Sequence, residues 1–211
     1  MSNKVVALIP ARTGSKRFPN KNKILWQYTR DFIIKSKLFS RAVVSSDGGQ
    51  ELFPFSNGDF TFKKRNPELA LDETPIKPVI EDIVKDCSEE VFCLLYLTSP
   101  SRRVSILEDA IEKFYTSNAQ SMMSFYPSEE SPYLAYYKDM TKVIDHDLYR
   151  YQDYKKTFQL THHICLFRKN CLEKLDNQLF NRDLTVPYFI NSKPLDVDYQ
   201  EDLDEWTSKK S

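Results

Sequence analysis

The sequence predicts an α/β fold in three layers: an open, mostly parallel β-sheet with helices on both faces. Three observations point there. Short continuous apolar runs alternate with amphipathic stretches from Val5 to Phe125, and such runs mark parallel strands buried on both faces. The glycines are only Gly14, Gly48, Gly49 and Gly58, which leaves no G-x-G-x-x-G turn of the dinucleotide-binding kind. A chain of 211 residues buries roughly 70% of its unfolded surface, enough for one core without disulfides. A single domain over 1–211 is expected.

Val5 to Ile9, stopped by Pro10, is the expected central strand. Leu25, Tyr28, Phe32 and Ser36 recur at helical spacing, and Ala42 to Ser45 follow as a second strand, completing a βαβ unit. Thr74 and Pro75 read as an N-cap and first helical residue before Ile76, Val79, Ile80, Ile83 and Val84, which fall on one helix face. Val91 to Leu97 is a third buried strand. Ser105 and Glu108 form a capping-box pattern before the helical Leu107, Ala110, Ile111 and Phe114, and Ser121 to Phe125 is a further strand. From about 129 to 159 the period is lost and tyrosines crowd in, at Tyr133, Tyr136, Tyr137, Tyr149, Tyr151 and Tyr154. This stretch is expected to be a small inserted arm or flap, serving a dimer interface rather than the rarer stacking on a sugar. Ile164 to Phe167 and Val186 to Ile190 return as strands, and Gln200 to Lys209 closes as a helix.

Composition excludes several functions. Thirty basic residues against thirty acidic ones give no net positive field for a phosphate backbone, so nucleic acid is not an expected partner. The apolar run through Phe92 to Leu97, which starts at Val91, is far short of the ~20 residues that span a bilayer, so no membrane partner is expected. The first residues run straight into a strand without a leader-like apolar segment, which reads as cytoplasmic. Cys87, Cys93, Cys165 and Cys171 form no tight pair and read as reduced, structural thiols.

In open α/β sheets, ligands bind beyond the carboxyl ends of the strands. The loop after the first strand, Pro10 to Asn22, carries Arg12, Lys16, Arg17 and Lys21 around a Thr13-Gly14-Ser15 turn, with no acidic residue. Such a loop can wrap a polyphosphate, with backbone N–H groups at close range and cations neutralising charge; a solvated basic loop is the alternative. Asp196 and Asp198 alternate along an extended segment, so both carboxylates could reach one Mg²⁺. The alternative is that Asp198 caps the last helix, with Glu201 completing a box. His162, His163 and Cys165 do not make a metal site, because neighbours on a strand point to opposite faces and only His163 and Cys165 would share one.

The string from Leu8 to Asn22, L-I-P-A-R-x-G-S-K-R followed by K-N, resembles the signature of the sugar-acid cytidylyltransferases, most of all their acylneuraminate branch. The resemblance continues in family order through Val44 to Gln50, Arg65 to Thr74, Leu94 to Arg102 and Leu195 to Asp198. It implies a nucleotidyltransferase (Rossmann-like) fold. It further implies transfer of CMP from CTP to the anomeric hydroxyl of a 2-keto sugar acid with release of pyrophosphate, and Mg²⁺ as cofactor; the tyrosine-rich arm makes a homodimer the expected assembly. By the same resemblance Arg12 and Lys21 contact the triphosphate with Gly14, Ser15 and the loop backbone. Asn22, Arg65 and the backbone around Leu8 and Ala11 fix the base and ribose, with Ser99 also on the nucleotide side. Asp196 and Asp198 hold the metal, and Arg12, Lys21 and Asp198 carry the catalysis. Cations aimed at the α-phosphorus and the leaving pyrophosphate suit the charge that grows there.

The acceptor side departs from the family. Tyr96 stands where the family has glutamine, Gln159 where it has arginine, Thr161 and His162 where it has asparagine and glycine, and Leu134 where it has lysine. Tyr96, Gln159, Thr161 and His162 are the expected acceptor-binding positions, and Arg102, Arg103 or Arg168 is expected to supply the cation an acidic acceptor needs. Sialic acid, legionaminic-type and pseudaminic-type nonulosonates and 3-deoxy-octulosonate are rival acceptors. A sugar phosphate acceptor and an inactive CTP-binding descendant remain alternatives.

Overall fold

The computed structural model describes residues 5–55 and 58–209. Its seven strands are β1 (Val5–Pro10), β2 (Arg41–Ser46), β3 (Phe60–Lys64), β4 (Val91–Leu94), β5 (Ser121–Pro127), β6 (Phe158–Arg168) and β7 (Thr185–Phe189). They form one sheet in the order β3-β2-β1-β4-β6-β5-β7. Only β6 runs against its neighbours; it is antiparallel to β4 and β5, while the remaining pairings are parallel. Four α-helices cover the sheet: α1 (Lys21–Ser36), α2 (Ile76–Val84), α3 (Val104–Thr116) and α4 (Gln200–Ser208).

The central strand shows why the sequence folds this way. Val5 to Ile9 are all fully buried. Val5, Ala7 and Ile9 face a core built with Leu25 and Trp26 of α1, Leu107 and Phe114 of α3 and Leu203 of α4. Val6 and Leu8 face the opposite core, with Val79, Ile80 and Ile83 of α2. A strand that must bury both faces can carry no polar alternation, which is what its apolar run reflects.

Several expected boundaries move. The third expected strand ends at Leu94 rather than Leu97: Leu95 still donates its N–H to the Leu8 carbonyl at 2.8 Å, but the chain then turns, and the Arg102 guanidinium takes the Tyr96 and Ser99 carbonyls at 2.8 and 2.7 Å. Pro75, not Thr74, holds the cap position of α2, and the Thr74 hydroxyl donates to the Glu68 carbonyl instead. The Ser105–Glu108 box does not form, because the cap of α3 falls two residues earlier, on Arg103, which is extended and makes no side-chain cap. At α4 the Asp202 carboxylate accepts the N–H groups of both Asp198 and Tyr199 at 2.8 Å, so Tyr199 is the cap residue and Asp198 is not. The edge strand β3 was not expected.

Strand β6 carries a break in register. Met123 pairs with Cys165 while the next residue, Ser124, pairs with Thr161, so residues 162–164 bulge out of the ladder. Ser124 holds the bulge: its hydroxyl donates to the Thr161 carbonyl at 2.8 Å and accepts the Ile164 N–H at 2.9 Å. The bulge changes which side chains share a face. His163 lies with Ile106 and Tyr188 on the α3 side, whereas Cys165 packs in the core beneath α2, so the expected pairing of His163 with Cys165 on one face does not occur.

Between β5 and β6 the chain makes a long excursion. The Ser128 N–H bonds the Thr157 carbonyl at 2.9 Å at its base. Tyr133 stacks on Tyr154 at 5.0 Å, and His146 packs its ring against both and bonds the Tyr133 carbonyl. Outward from this small aromatic centre, Tyr149 and Met140 are 86% and 76% exposed.

Candidate nucleotide site

A cleft of about 570 Å³ opens at the carboxyl ends of β1 and β4. Its cationic wall comes from the loop after β1 and the start of α1: Arg12, Ser15, Lys16, Arg17, Lys21 and Asn22. The loop is tied down at both ends. The Thr13 N–H and hydroxyl both donate to the Asp47 carboxylate, at 2.7 and 2.6 Å, which anchors the loop to the end of β2. Burial pushes the Asp47 carboxyl up, but these hydrogen bonds outweigh it and hold the group below its ordinary range. Gly14 follows at φ +76°, a left-handed conformation that a side chain rarely adopts. At the other end the Asn22 side-chain amide donates to the Arg12 carbonyl at 2.7 Å.

Arg65 comes up from the floor. It is 3% exposed, and its guanidinium donates to the Ser45 hydroxyl and carbonyl at 3.2 and 2.8 Å. Burial lowers it to about 10, which leaves it charged at neutral pH. Tyr96, Leu97 and Thr98 close the cleft after β4. Val197 donates its N–H to the Thr98 carbonyl at 2.8 Å, and this bond brings the acidic segment alongside. Buried Val197 leaves Asp196 and Asp198 on either side of it. Asp198 receives Lys21 at 3.0 Å and Arg17 at 3.6 Å, and Lys21 also donates to the Val197 carbonyl at 3.1 Å.

One acidic residue of the wall was not anticipated. Asp72 binds Arg12 through one oxygen at 2.5 Å and Lys16 through the other at 2.6 Å. The two partners hold its carboxyl down at about 2. Only the Arg65-to-Thr74 motif pointed to this loop; nothing local in the sequence marks the ion pairs.

Of the residues expected on the nucleotide side, Arg12, Ser15, Lys21, Asn22 and Arg65 line one cleft. Gly14 lines a small side cavity shared with Lys21, Asn22 and Phe53. Leu8, Ala11 and Ser99 lie beneath the surface and act through their backbone. The Leu8 carbonyl takes Leu95, the Ala11 N–H bonds Ser45, and the Ser99 carbonyl holds Arg102.

On the acceptor side, Tyr96 and His162 meet edge to face at 5.6 Å, and His162 Nε2 is 2.8 Å from the Gln178 carbonyl. Gln159 accepts the Tyr126 hydroxyl, and Thr161 caps the His163 N–H; neither lines the cleft. The expected cations are turned elsewhere. Arg102 bonds backbone carbonyls, Arg168 donates to the Ala119 carbonyl beside Phe114, and Arg103 lies on the α3 side of the sheet.

A basic loop lies beside an acidic segment at the carboxyl ends of a mostly parallel sheet, in a three-layer α/β protein. The fold is that of nucleotidyltransferases: it superposes on a CMP:2-keto-3-deoxy-manno-octonic acid synthetase complexed with CTP, with TM-score 0.74 and 13% identity over 98% of each chain. It also superposes on a 4-diphosphocytidyl-2C-methyl-D-erythritol synthase from Anaerococcus prevotii, with TM-score 0.68 and 16% identity over 100% of this chain and 99% of the other. The chain belongs to the cytidylyltransferase family, whose model matches residues 6–205. Among its relatives are an N-acylneuraminate cytidylyltransferase of Streptococcus agalactiae, 28% identical over 62% of this chain and 34% of that protein, and a CMP-N,N'-diacetyllegionaminic acid synthase of Legionella pneumophila, 27% identical over 95% of this chain and 93% of that protein. The match to the Streptococcus relative thus takes in about a third of that protein's length. No helix among the described residues is long and apolar enough to cross a membrane.

Proposed function

We propose that the protein is a cytidylyltransferase that transfers CMP from CTP to the anomeric hydroxyl of a 2-keto sugar acid of the nonulosonate type and releases pyrophosphate. One observation carries the reading: Lys21 and Arg17, which line the cleft, converge on Asp198 at its margin. That is an arrangement of cations and carboxylate suited to a metal triphosphate.

The residues present fit Mg²⁺. Asp196 and Asp198 offer oxygen ligands only, and no group of three or more His, Cys, Asp or Glu side chains capable of holding a metal occurs among the described residues. Mg²⁺ asks for little more, since it keeps several waters and completes its shell with substrate phosphates. Asp196 and Asp198 would hold it, and it would supply positive charge to offset that of the phosphates. The chain's own residues do the rest. Arg12 and Lys21 draw the triphosphate oxygens and stabilise the charge that grows on the leaving pyrophosphate. Arg65, rigid on Ser45, and Asn22 orient the nucleoside, and Tyr96 with His162 forms the wall toward the acceptor. Asp198 now holds Lys21 and Arg17, and these are the cations that would serve the phosphates.

The exposed apolar residues of the excursion between β5 and β6 support a homodimer through that arm. The acceptor class rests on the relatives' names and on the family motifs. Pyrophosphate release with CTP and Mg²⁺ across a panel of nonulosonic acids, 3-deoxy-octulosonate and sugar phosphates tests the function. Turnover with a sugar phosphate alone would move the acceptor class, and CTP binding without any release would remove the enzyme reading. Light scattering of the intact chain, and of a Tyr149→Ser, Met140→Ser variant, tests the dimer.

A further inference from the structure

On the face of the sheet opposite α2 lies a second cavity of about 370 Å³ that shares no wall residue with the nucleotide cleft. Arg103 and Lys193 flank it, Ser101 and Asn191 add polar groups, and no acidic side chain lines it. None of these four side chains makes a hydrogen bond or ion pair among the described residues. On α3, the Asp109 carboxylate that accepts the Tyr188 hydroxyl at 2.6 Å is also taken by Lys113 at 2.8 Å.

Two further features aim at the same space. The first turn of α3, thirteen residues long, begins here with no side-chain cap, so the N–H groups of Val104, Ser105 and Ile106 have no intrahelical acceptor. The helix dipole adds partial positive charge at that point. On the cavity wall sits His163, delivered to this face by the β6 bulge. It is 7% exposed, and its buried Nδ1 has no hydrogen-bond partner. Burial, with the neighbouring Arg102, lowers it to about 4, so at neutral pH it offers a neutral hydrogen-bonding ring. That nitrogen is sealed from the cavity, so the ring meets an occupant by its remaining edge. Ile106, Phe189, Pro194 and Leu195 supply an apolar flank.

We propose that this cavity is a second ligand site, separate from the nucleotide cleft, that takes a small phosphate monoester with an apolar substituent. Two free cations and a helix N-terminus match a dianion better than a singly charged carboxylate. The wall continues through Leu195 into Asp196, so an occupant would rest against the strand that leads to the acidic pair.

The test is an amide and imidazole NMR titration of the intact chain with phenyl phosphate. The expected result is saturable shifts at Val104 to Ile106 and at the His163 ring. In an Arg103→Gln, Lys193→Gln double variant, affinity should fall by roughly tenfold or more, the scale of losing two charge-assisted contacts. Both positions are exposed, so the variant keeps its fold, and an otherwise unchanged spectrum verifies this. Benzoate should bind about tenfold more weakly than phenyl phosphate. Shifts confined to Arg12–Asn22, no saturable shift, undiminished affinity in the double variant, or benzoate binding as tightly as phenyl phosphate would each overturn the proposal.

Discussion

Lys21 and Asp198 stand 177 residues apart in the chain and 3.0 Å apart in the fold. Lys21 is the first residue of α1, and Asp198 precedes α4 by two residues. The pair ties the start of α1 to the segment that leads into α4, two helices on the same face of the sheet. Asp198→Asn is expected to cut Mg²⁺-dependent turnover by about 10²-fold or more, the scale seen when one fixed charge or donor at a reacting centre is lost. Its melting temperature should stay near that of the parent, because Asp198 is partly exposed and the Asp202 cap of α4 is untouched. Unchanged turnover in a pyrophosphate-release assay would remove Asp198 from the catalytic machinery.

Asp72 gives a prediction of opposite sign. One carboxylate occupies both Arg12 and Lys16, so an incoming triphosphate competes with it. Asp72→Asn should therefore tighten CTP binding by about fivefold, in keeping with the modest strength of exposed ion pairs. Calorimetric titration reads this directly, and weaker binding would make Asp72 a positioning residue instead.

Ser124 fixes the bulge with a hydroxyl that serves the Thr161 carbonyl and the Ile164 N–H, and it is fully buried. Replacing it with alanine strands both backbone groups away from water, at a cost of about 1–3 kcal/mol. Urea unfolding of Ser124→Ala checks the figure, and a loss below measurement error would mean the bulge is held by its neighbours.

Acid sensitivity should be local to Arg41 and Glu89. The Arg41 guanidinium bonds both Glu89 oxygens, at 2.6 and 2.9 Å, and holds the carboxyl at about 2. A folded carboxylate held below its unfolded range of about 4.3 contributes fully above that range and progressively less as the pH falls toward its folded value. Arg41→Gln should thus lower unfolding free energy by about 1.5–3 kcal/mol at neutral pH and by much less near pH 2.5. Denaturation curves at the two pH values should differ in this way, and an equal loss at both would show that the pair acts through packing.

The four cysteines should be silent toward thiol reagents in the native state. All are nearly fully buried, and burial pushes Cys93 up to about 12 and Cys165 and Cys171 upward as well. Reaction with a chromogenic disulfide should require denaturant, and a fast-reacting thiol in the native protein would contradict the burial.

The central strands and amphipathic helices were legible because burial on one or two faces leaves a period in the sequence. Val5–Pro10 shows this, as do Val79, Ile80, Ile83 and Val84 on α2. Strand β3 left no such trace. It pairs only with β2, and of its five residues only Phe60 is buried. Caps were misjudged by a residue or two, since several polar side chains compete for each helix end and only geometry selects one. In the site, the basic loop and the acidic pair were readable as short motifs. The Asp72 clasp and the Thr13–Asp47 anchor were not, because each joins residues from separate loops that only the fold brings together.

The three bulged residues of β6 also divide labour within one strand. Of two adjacent histidines, His162 reaches the wall beside Tyr96 and His163 the wall beside Ile106. A regular strand would also send neighbours to opposite faces, but it would put His163 with Cys165 in the α2 core. The bulge rephases the strand, so that residues before and after it follow different registers on the same partner. Sequence drift on either side of residues 162–164 can then proceed independently, whereas loss or gain of a single residue inside the bulge would change at once the side chain beside Tyr96 and the one on the α3 side.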